Sequence, residues 1–322
     1  MQTLRRKPRK ALPLQDEAAE GLLDATLTLV GIAQMGTTKT GKEDWRHFLK
    51  LCISGIPLSY RSQVWSECSG VNEMAEPGRY EELLSEHNGE QNQCLTQIDL
   101  DVHRTMPTNV FFGGDGPGVP KLRRVLVAFS WYDVEIGYCQ AMNNIAATLL
   151  LTEPSESKSF WLLVCLIEKI MPRDYYTSHL LTSQADQRVL IEYTGELLPK
   201  IWAHIEGLGV DLPAVTFAWF LSLYTDCLPV EVLFRVWDLL FVEGMVTLFR
   251  VALAILELHE EAILETQSAA AFYSLMHRTT GQLFHADKLV QAASTLRDRV
   301  KHTDITSRRT YHIDALRQEL GL

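Results

Sequence analysis

Apolar residues recur at every third or fourth position along most of the chain. Near the N terminus this spacing is shared by Leu14, Ala18, Leu22, Ala25, Leu29 and Ile32. Because an α-helix has about 3.6 residues per turn, these side chains would line one face, which predicts a helix of about five turns. A polar stretch rich in glycine and threonine, from Gly36 to Gly41, is predicted to end this helix.

The same spacing predicts helices farther along the chain. Three further stripes are Trp45, Phe48, Leu49 and Cys52; Leu122, Val125, Leu126 and Phe129; and Val246, Phe249, Leu253 and Leu256. The helix of the first stripe is predicted to end at residues 55–57, which read Gly-Ile-Pro. Arg61 and Trp65 then follow four residues apart, hence on one face of the next helix.

Prolines fall where one periodic segment gives way to the next. They are Pro154, Pro172, Pro199, Pro213 and Pro229. Proline is disfavoured inside a helix because it lacks an amide hydrogen, so these positions predict boundaries. None follows Pro229, and long helices are predicted there. With little strand-like alternation, the pattern predicts an all-α protein: one multi-helix domain over residues 14–322, after a short N-terminal segment of residues 1–13.

Composition agrees with a packed domain and argues against one class of partner. Of 322 residues, 47% are hydrophobic and 22% are charged, which is enough apolar material for a sizeable core. The formal net charge is −10. Because phosphate binding requires a basic face, this charge argues against nucleic acid as a partner.

The N-terminal segment differs in charge from the rest of the chain. Its basic residues are Arg5, Arg6, Lys7, Arg9 and Lys10, and residues 1–10 contain no acid. We expect residues 1–13 to be a solvated, disordered extension; contact with anionic lipid or an acidic partner is the alternative.

The cysteine pattern indicates a reducing compartment. The six cysteines form no CxxC pair and do not cluster with histidine, so we predict free thiols, no disulfide framework and no metal site. The basic start is not followed by the apolar core of a signal peptide. We expect a cytoplasmic protein, whose basic segment leaves open a peripheral contact with endomembranes.

The first motif with candidate chemistry is residues 98–105. Asp101 and Arg104 stand three residues apart there, a spacing that by itself is typical of a surface ion pair on a helix. Pro107, however, stops the helix nearby. Arg104 would then project from a helix end, and the neighbouring acid would fix its rotamer before a partner arrives.

The second motif, residues 136–143, presents Gln140. A glutamine here is either hydrogen-bonded within the helix packing or exposed at a rim. An arginine and a glutamine in one site suit phosphoryl transfer, since the cation neutralises phosphate charge while the amide holds a water in line. The chain has no nucleotide site of its own, so we expect it to complete the active site of another protein. A Cys139 nucleophile with His103 as base would need a lowered thiol pKa and a base within reach.

Two other features favour structural explanations. The glycine-rich residues 113–118 lack a following GK[ST] and a preceding strand, so we expect a mobile surface loop and not a phosphate cradle. Arg235 and Asp238 stand three residues apart beside Trp237. We predict that they form a buried charge pair that ties helices together.

In this order, the motifs resemble those of the TBC domain, the GTPase-activating domain for Rab GTPases. The matching residues are Gly55-Ile56-Pro57, Arg61 and Trp65; Ile98, Asp101, Arg104 and Thr105; Gly137-Tyr138-Cys139-Gln140 and Met142-Asn143; Trp219-Phe220; and Leu228-Pro229, Arg235, Trp237, Asp238 and Gly244. Each motif alone is weak, but five in register are specific. They cover residues 55–244, and the helical flanks extend the likeness over most of the chain.

The resemblance implies an all-helical fold and a mechanism with two fingers. Arg104 and Gln140 would enter the nucleotide site of a GTP-bound Rab, with Asp101 orienting the arginine and Tyr138 packing behind the glutamine segment. The other supporting positions would be Thr105 and Asn143. The positions expected to hold the fold are Arg61, Trp65, Arg235, Trp237 and Asp238.

The resemblance also implies that the chain has no metal or cofactor of its own, because magnesium and GTP are carried by the partner. One departure is Ala141, where the family usually has glycine. In a helix, alanine would be tolerated or mildly stabilising; if the partner must approach closely there, catalysis would suffer. The alternative function is a non-catalytic TBC-like module that binds a small GTPase or a scaffold.

Overall fold

The structure, a computed structural model, describes residues 39–321. Every regular element within these residues is helical, so the predicted all-α class is confirmed. Residues 1–13 and the helix predicted from Leu14 to Ile32 lie outside the described residues. No helix between residues 39 and 321 is long and apolar enough to cross a bilayer.

Seventeen α-helices follow one another in the described part of the chain. They are α1 (Lys39–Ser54), α2 (Leu58–Ser69), α3 (Val71–Met74), α4 (Arg79–Glu86), α5 (Leu95–Val102), α6 (Gly118–Tyr132), α7 (Met142–Thr152), α8 (Glu156–Cys165), α9 (Leu181–Leu197), α10 (Pro199–Gly207), α11 (Pro213–Leu221), α12 (Val230–Glu243), α13 (Val246–Leu258), α14 (Glu260–Leu264), α15 (Ala269–Gly281), α16 (Ala286–Thr295) and α17 (His302–Leu320). A π-helical turn at Leu166–Ile170 continues α8.

Helix α13 lies at the centre of the core. Every residue from Val246 to Leu256 is buried, and the helix contacts α9, α12, α14 and α16. A helix that is apolar on all sides packs against neighbours on all sides. The predicted stripe on α13 is therefore buried, but it belongs to a helix that is enclosed on all sides from Val246 to Leu256 and not to the inner face of a surface helix.

Several predicted boundaries agree with the structure. The predicted stripe of Leu122, Val125, Leu126 and Phe129 lies in α6 and is buried throughout. Pro199 and Pro213 are the first residues of α10 and α11, and Pro229 directly precedes α12. At these positions a missing amide hydrogen breaks no intrahelical bond, which is why proline is tolerated there.

One prediction about helix extent is wrong. The chain after Pro229 includes the short helix α14, which has 5 residues, so it does not consist of long helices alone. Helix α1 begins at Lys39, within the stretch from Gly36 to Gly41, and the helix that this stretch is predicted to end lies outside the described residues.

The glycine-rich residues 113–118 are irregular up to Pro117, as predicted, and they pack closely against the preceding residues. The amide of Gly118 donates to the carbonyl of Phe111 over 2.8 Å. A Cβ atom at Gly118 would lie only 2.4 Å from the Phe111 ring. Glycine is thus required for close packing at the start of α6, a role that the sequence did not predict.

A buried carboxylate joins α12 to α2 and to the connection between α1 and α2. Asp238 is 0% exposed, and its oxygens accept hydrogen bonds from Arg61 Nε (2.9 Å), Trp65 Nε1 (3.0 Å) and the amide of Ile56 (3.4 Å). The predicted pair of Asp238 with Arg235 is therefore wrong. The true cationic partner comes from α2, far away in sequence.

Arg235 contacts α1 and α16 instead. The last carbonyls of a helix lack intrahelical partners, and Arg235 Nη2 donates to one of them, that of Ile53 at the end of α1, over 2.6 Å. Its Nη1 pairs with Asp287 of α16 over 2.7 Å. On the same helix, Trp237 Nε1 donates to the carbonyl of Leu223 over 2.9 Å. In addition to the contacts of Asp238, these three polar contacts fix helix α12 to its neighbours.

Candidate functional site

Arg104 projects from the C-terminal end of α5. The helix ends at Val102, and the side chain of Arg104 is 57% exposed. Its Nη2 lies 2.7 Å and its Nε 2.9 Å from the same oxygen of Asp101. The predicted neighbour pair is present, and it holds the guanidinium outside the helix, at the protein surface.

Asp101 itself is fully buried, at 0% exposure, and its charge is met by donors from two elements. Tyr138 donates its hydroxyl to Oδ2 over 2.6 Å, and Gln97 donates its amide to Oδ1 over 2.8 Å. Burial raises the pKa of Tyr138, and the hydrogen bond to Asp101 raises it further, so the phenol stays protonated and donates. The role of Gln97 was not predicted, although its spacing of four from Asp101 was a usable signal.

A second layer of contacts joins the two motifs. Asn143 donates from Nδ2 to the hydroxyl of Thr105 over 2.8 Å, and that hydroxyl donates to the carbonyl of Asp101 over 2.7 Å. The Asn143 amide oxygen accepts from the backbone of Ala141 over 3.2 Å. The chain segments that carry Arg104 and Gln140 are therefore fixed to each other through buried hydrogen bonds.

Gln140 lies at the tip of the turn that precedes α7, and it is exposed. Within residues 39–321 its side-chain amide makes no hydrogen bond. Of the two alternatives that the sequence left open, the structure shows the exposed one. Both the donor and the acceptor of this amide are available to a partner.

Ala141 adopts a backbone conformation that favours glycine. Its φ is 98° and its ψ is −28°, so it is not helical, and the helical one of the two alternatives does not apply. An L-residue at such a positive φ is strained because its Cβ crowds the backbone. The strain costs about 1–3 kcal/mol and persists only where the surroundings enforce it.

Replacing this residue by glycine is expected to stabilise the protein. Ala141→Gly relieves the strain, and the added freedom of the unfolded chain offsets only about 0.4–1 kcal/mol of that gain. We expect a higher melting temperature in thermal denaturation. The control is Ala147→Gly, within buried α7, which should lose about 1 kcal/mol. An Ala141→Gly protein no more stable than the unaltered one would contradict the strain at this position.

The environment of Cys139 does not suit a nucleophile. Burial raises the pKa of its thiol to about 11, which leaves little thiolate at neutral pH. The sulfur contacts the carbonyl of Gln140, and no hydrogen bond joins it to His103 within the described residues. The geometry gives the cysteine alternative no support.

A third segment, not predicted, reaches the same site. Asp226 lies in the loop between α11 and α12, and its Oδ1 accepts a hydrogen bond from Asn144 Nδ2 in the first turn of α7. The side chain of Asp226 is exposed, but neighbouring protein atoms remove part of its hydration, and this desolvation raises the pKa of the carboxyl. The hydrogen bond from Asn144 and the charge of Arg104 oppose that rise. Asp226 is therefore within electrostatic reach of Arg104.

A family model described as the Rab-GTPase-TBC domain matches residues 58–264. The chain belongs to the Rab-GTPase-TBC domain family. The resemblance predicted from the motifs is confirmed, and the matched range contains residues 98–105, residues 136–143 and the contacts of Asp238 with Arg61 and Trp65.

Two relatives are similar to this TBC domain over most of the chain. A TBC domain-containing protein of Schizosaccharomyces pombe is 47% identical over 270 residues, which cover 84% of this chain and 35% of the relative. TBC1 domain family member 2B of Homo sapiens is 38% identical over 276 residues, which cover 84% of this chain and 29% of the relative. The chain spans about a third of the length of these relatives.

Solved structures share the TBC fold. The crystal structure of a Chlamydomonas flagellar RabGAP TBC domain matches with a TM-score of 0.70 at 29% identity, covering 78% of this chain and 89% of that chain. The Ypt/Rab-GAP domain of Gyp1p matches with a TM-score of 0.69 at 20% identity, covering 81% and 94%. The second likeness shows the fold alone.

Proposed function

We propose that this TBC domain accelerates GTP hydrolysis on a Rab GTPase by inserting Arg104 and Gln140 into the partner's nucleotide site. The observation that carries the proposal is the contrast between two exposed side chains and the buried groups behind them. Arg104 is 57% exposed and Gln140 is exposed, whereas Asp101, Thr105 and Asn143 are 0%, 1% and 5% exposed. Functional side chains held by a buried supporting shell are pre-organised for a partner.

Asp101 sets the direction of the arginine finger. Nε and Nη2 of Arg104 both point to one oxygen of Asp101, which leaves Nη1 for a phosphate oxygen of the partner. Because the rotamer is fixed in advance, insertion loses less side-chain entropy. The guanidinium would then neutralise the charge that develops on the transferring phosphoryl group.

Gln140 would align the attacking water. A side-chain amide can accept a hydrogen bond from a water and donate another to a phosphate or backbone oxygen, which is the pairing that in-line attack requires. The turn that presents the amide is anchored through the Ala141 amide to Asn143. The expected contribution is to the maximal rate more than to binding, because the amide acts mainly in the transition state.

The chain contributes no metal under this proposal. Magnesium and GTP arrive with the partner in its GTP-bound form, and the magnesium ion neutralises charge on the β- and γ-phosphates. Arg104 and Gln140 would complete a site that already contains its metal and its substrate.

The test is a panel of purified Rabs loaded with GTP, with phosphate release followed under single-turnover conditions. We expect at least one Rab to be accelerated by a factor of about 10³ or more over its intrinsic rate. Binding to a Rab without acceleration of any panel member would overturn the proposal. That result would favour the alternative function, a non-catalytic module that binds a GTPase.

A further inference from the structure

The loop between α11 and α12 is rigidly held near the finger site. Leu223 and Tyr224 both have positive φ, 52° and 68°, a conformation that persists only where the surroundings enforce it. Tyr224 is fully buried and donates its hydroxyl to the carbonyl of Leu248 in α13 over 2.6 Å. Trp237 fixes the carbonyl of Leu223. Asp226 therefore projects from a loop that is anchored to the central helix of the core.

The hydrogen bond from Asn144 to Asp226 attaches this loop to the first turn of α7. Consecutive helical residues point about 100° apart, so Asn143 and Asn144 reach different neighbours. Asn143 contacts Thr105 after the end of α5, and Asn144 contacts Asp226. The start of α7, directly after the turn that presents Gln140, is thus held by two separate segments.

We propose that Asp226 and Asn144 are positioning residues for Gln140, acting by fixing the start of α7 so that the amide meets the partner in one orientation. The proposal rests on the proposed GTPase-activating function. Its physical basis is the strain at Ala141, whose φ is 98°. A turn in such a conformation relaxes unless its two flanks are held, and a shift of about 1 Å in a catalytic group can lower the rate about 100-fold.

The tether needs an acceptor oxygen at position 226 and does not need a charge. Asp226→Asn retains that oxygen, so Asn144 can still donate to it, whereas Asp226→Ala removes the contact. If the carboxylate instead received a cation from the partner, asparagine would fail as alanine does. Among the described residues no lysine, arginine or histidine forms an ion pair with Asp226, although the charge of Arg104 acts on it. Because both variants remove the same negative charge, the difference between them isolates the acceptor oxygen.

The experiment uses a GTP-loaded Rab that responds to the unaltered protein in the panel. Single-turnover phosphate release is measured against the concentration of each variant, giving a maximal rate constant and a half-saturating concentration. We expect Asp226→Ala and Asn144→Ala each to lower the maximal rate about tenfold or more, with the half-saturating concentration changed less than about threefold. The double variant should be no slower than the slower single variant, because both remove one contact.

Asp226→Asn should restore the rate to within about threefold of the unaltered protein. Full activity in both alanine variants would overturn the proposal. So would equal loss in Asp226→Asn and Asp226→Ala, or a change in half-saturating concentration alone, since these indicate partner recognition through charge. If Asp226→Ala does not fold, Asn144→Ala removes the same bond from the other side. Arg104→Lys distinguishes failure of this proposal from failure of the proposed GTPase-activating function. If Arg104→Lys is inactive while the alanine variants are fully active, only the positioning role is wrong.

Discussion

Arg104→Lys is expected to remove most of the stimulation of GTP hydrolysis. An arginine finger contributes a factor of about 10³–10⁵ in comparable pairs of GTPase and activator. Lysine keeps the charge, but its single ammonium cannot bond Asp101 along one edge and a phosphate with another nitrogen, as the planar guanidinium can. We expect a loss of about 10³-fold or more in single-turnover phosphate release.

The matched control for this variant is Arg317→Lys. Arg317 lies on α17, is 54% exposed and also faces an acid three residues away, Asp314. Its replacement should leave both activity and melting temperature unchanged. Arg104→Lys should likewise retain its melting temperature, since the side chain is largely exposed. Retention of more than about a tenth of the stimulation by Arg104→Lys would rule out the arginine-finger role.

Asp238→Ala is expected to cause the largest loss of stability. The substitution leaves the buried guanidinium of Arg61, which is 11% exposed, without its counter-ion. It also removes the acceptor of Trp65 Nε1 and of the Ile56 amide. Breaking a buried pair from one side costs about 3–5 kcal/mol, so we expect a melting temperature lower by roughly 6–20 °C, or insoluble protein.

Asp314→Ala provides the comparison, because this acid is 64% exposed and its distance to Arg317 is 3.7 Å. It should change stability by less than about 1 kcal/mol. An Asp238→Ala protein with an unchanged melting temperature and a specific loss of catalysis would place Asp238 in the reaction and not in the scaffold.

The sequence predicted local relationships better than distant ones. Asp101 with Arg104 and Asp238 with Arg235 have the same spacing of three, yet only the first pair forms. Arg104 pairs with its helical neighbour Asp101. Asp238 instead faces α2 and pairs with Arg61, 177 positions away in the chain. Spacing alone cannot rank a helical neighbour against a partner that only the fold brings close.

Two other features of the site could not be predicted from the sequence, for related reasons. The strain at Ala141 is a property of backbone dihedral angles, which an alanine in the sequence does not reveal. The contact of Asn144 with Asp226 spans 82 positions and depends on how the loop before α12 folds over α7. Gln97 differs, since its contact with Asp101 lies within one helix and follows from the spacing.

The central claim, that this chain supplies both catalytic groups, is tested most directly with a Rab whose own water-aligning glutamine is changed to alanine. Small GTPases normally use that glutamine to orient the attacking water. If Gln140 replaces it, single-turnover phosphate release from the altered Rab should still be accelerated substantially by the unaltered protein, and Gln140→Ala should abolish that acceleration. An altered Rab that does not respond, together with full activity of Gln140→Ala on the unaltered Rab, would contradict the two-finger mechanism.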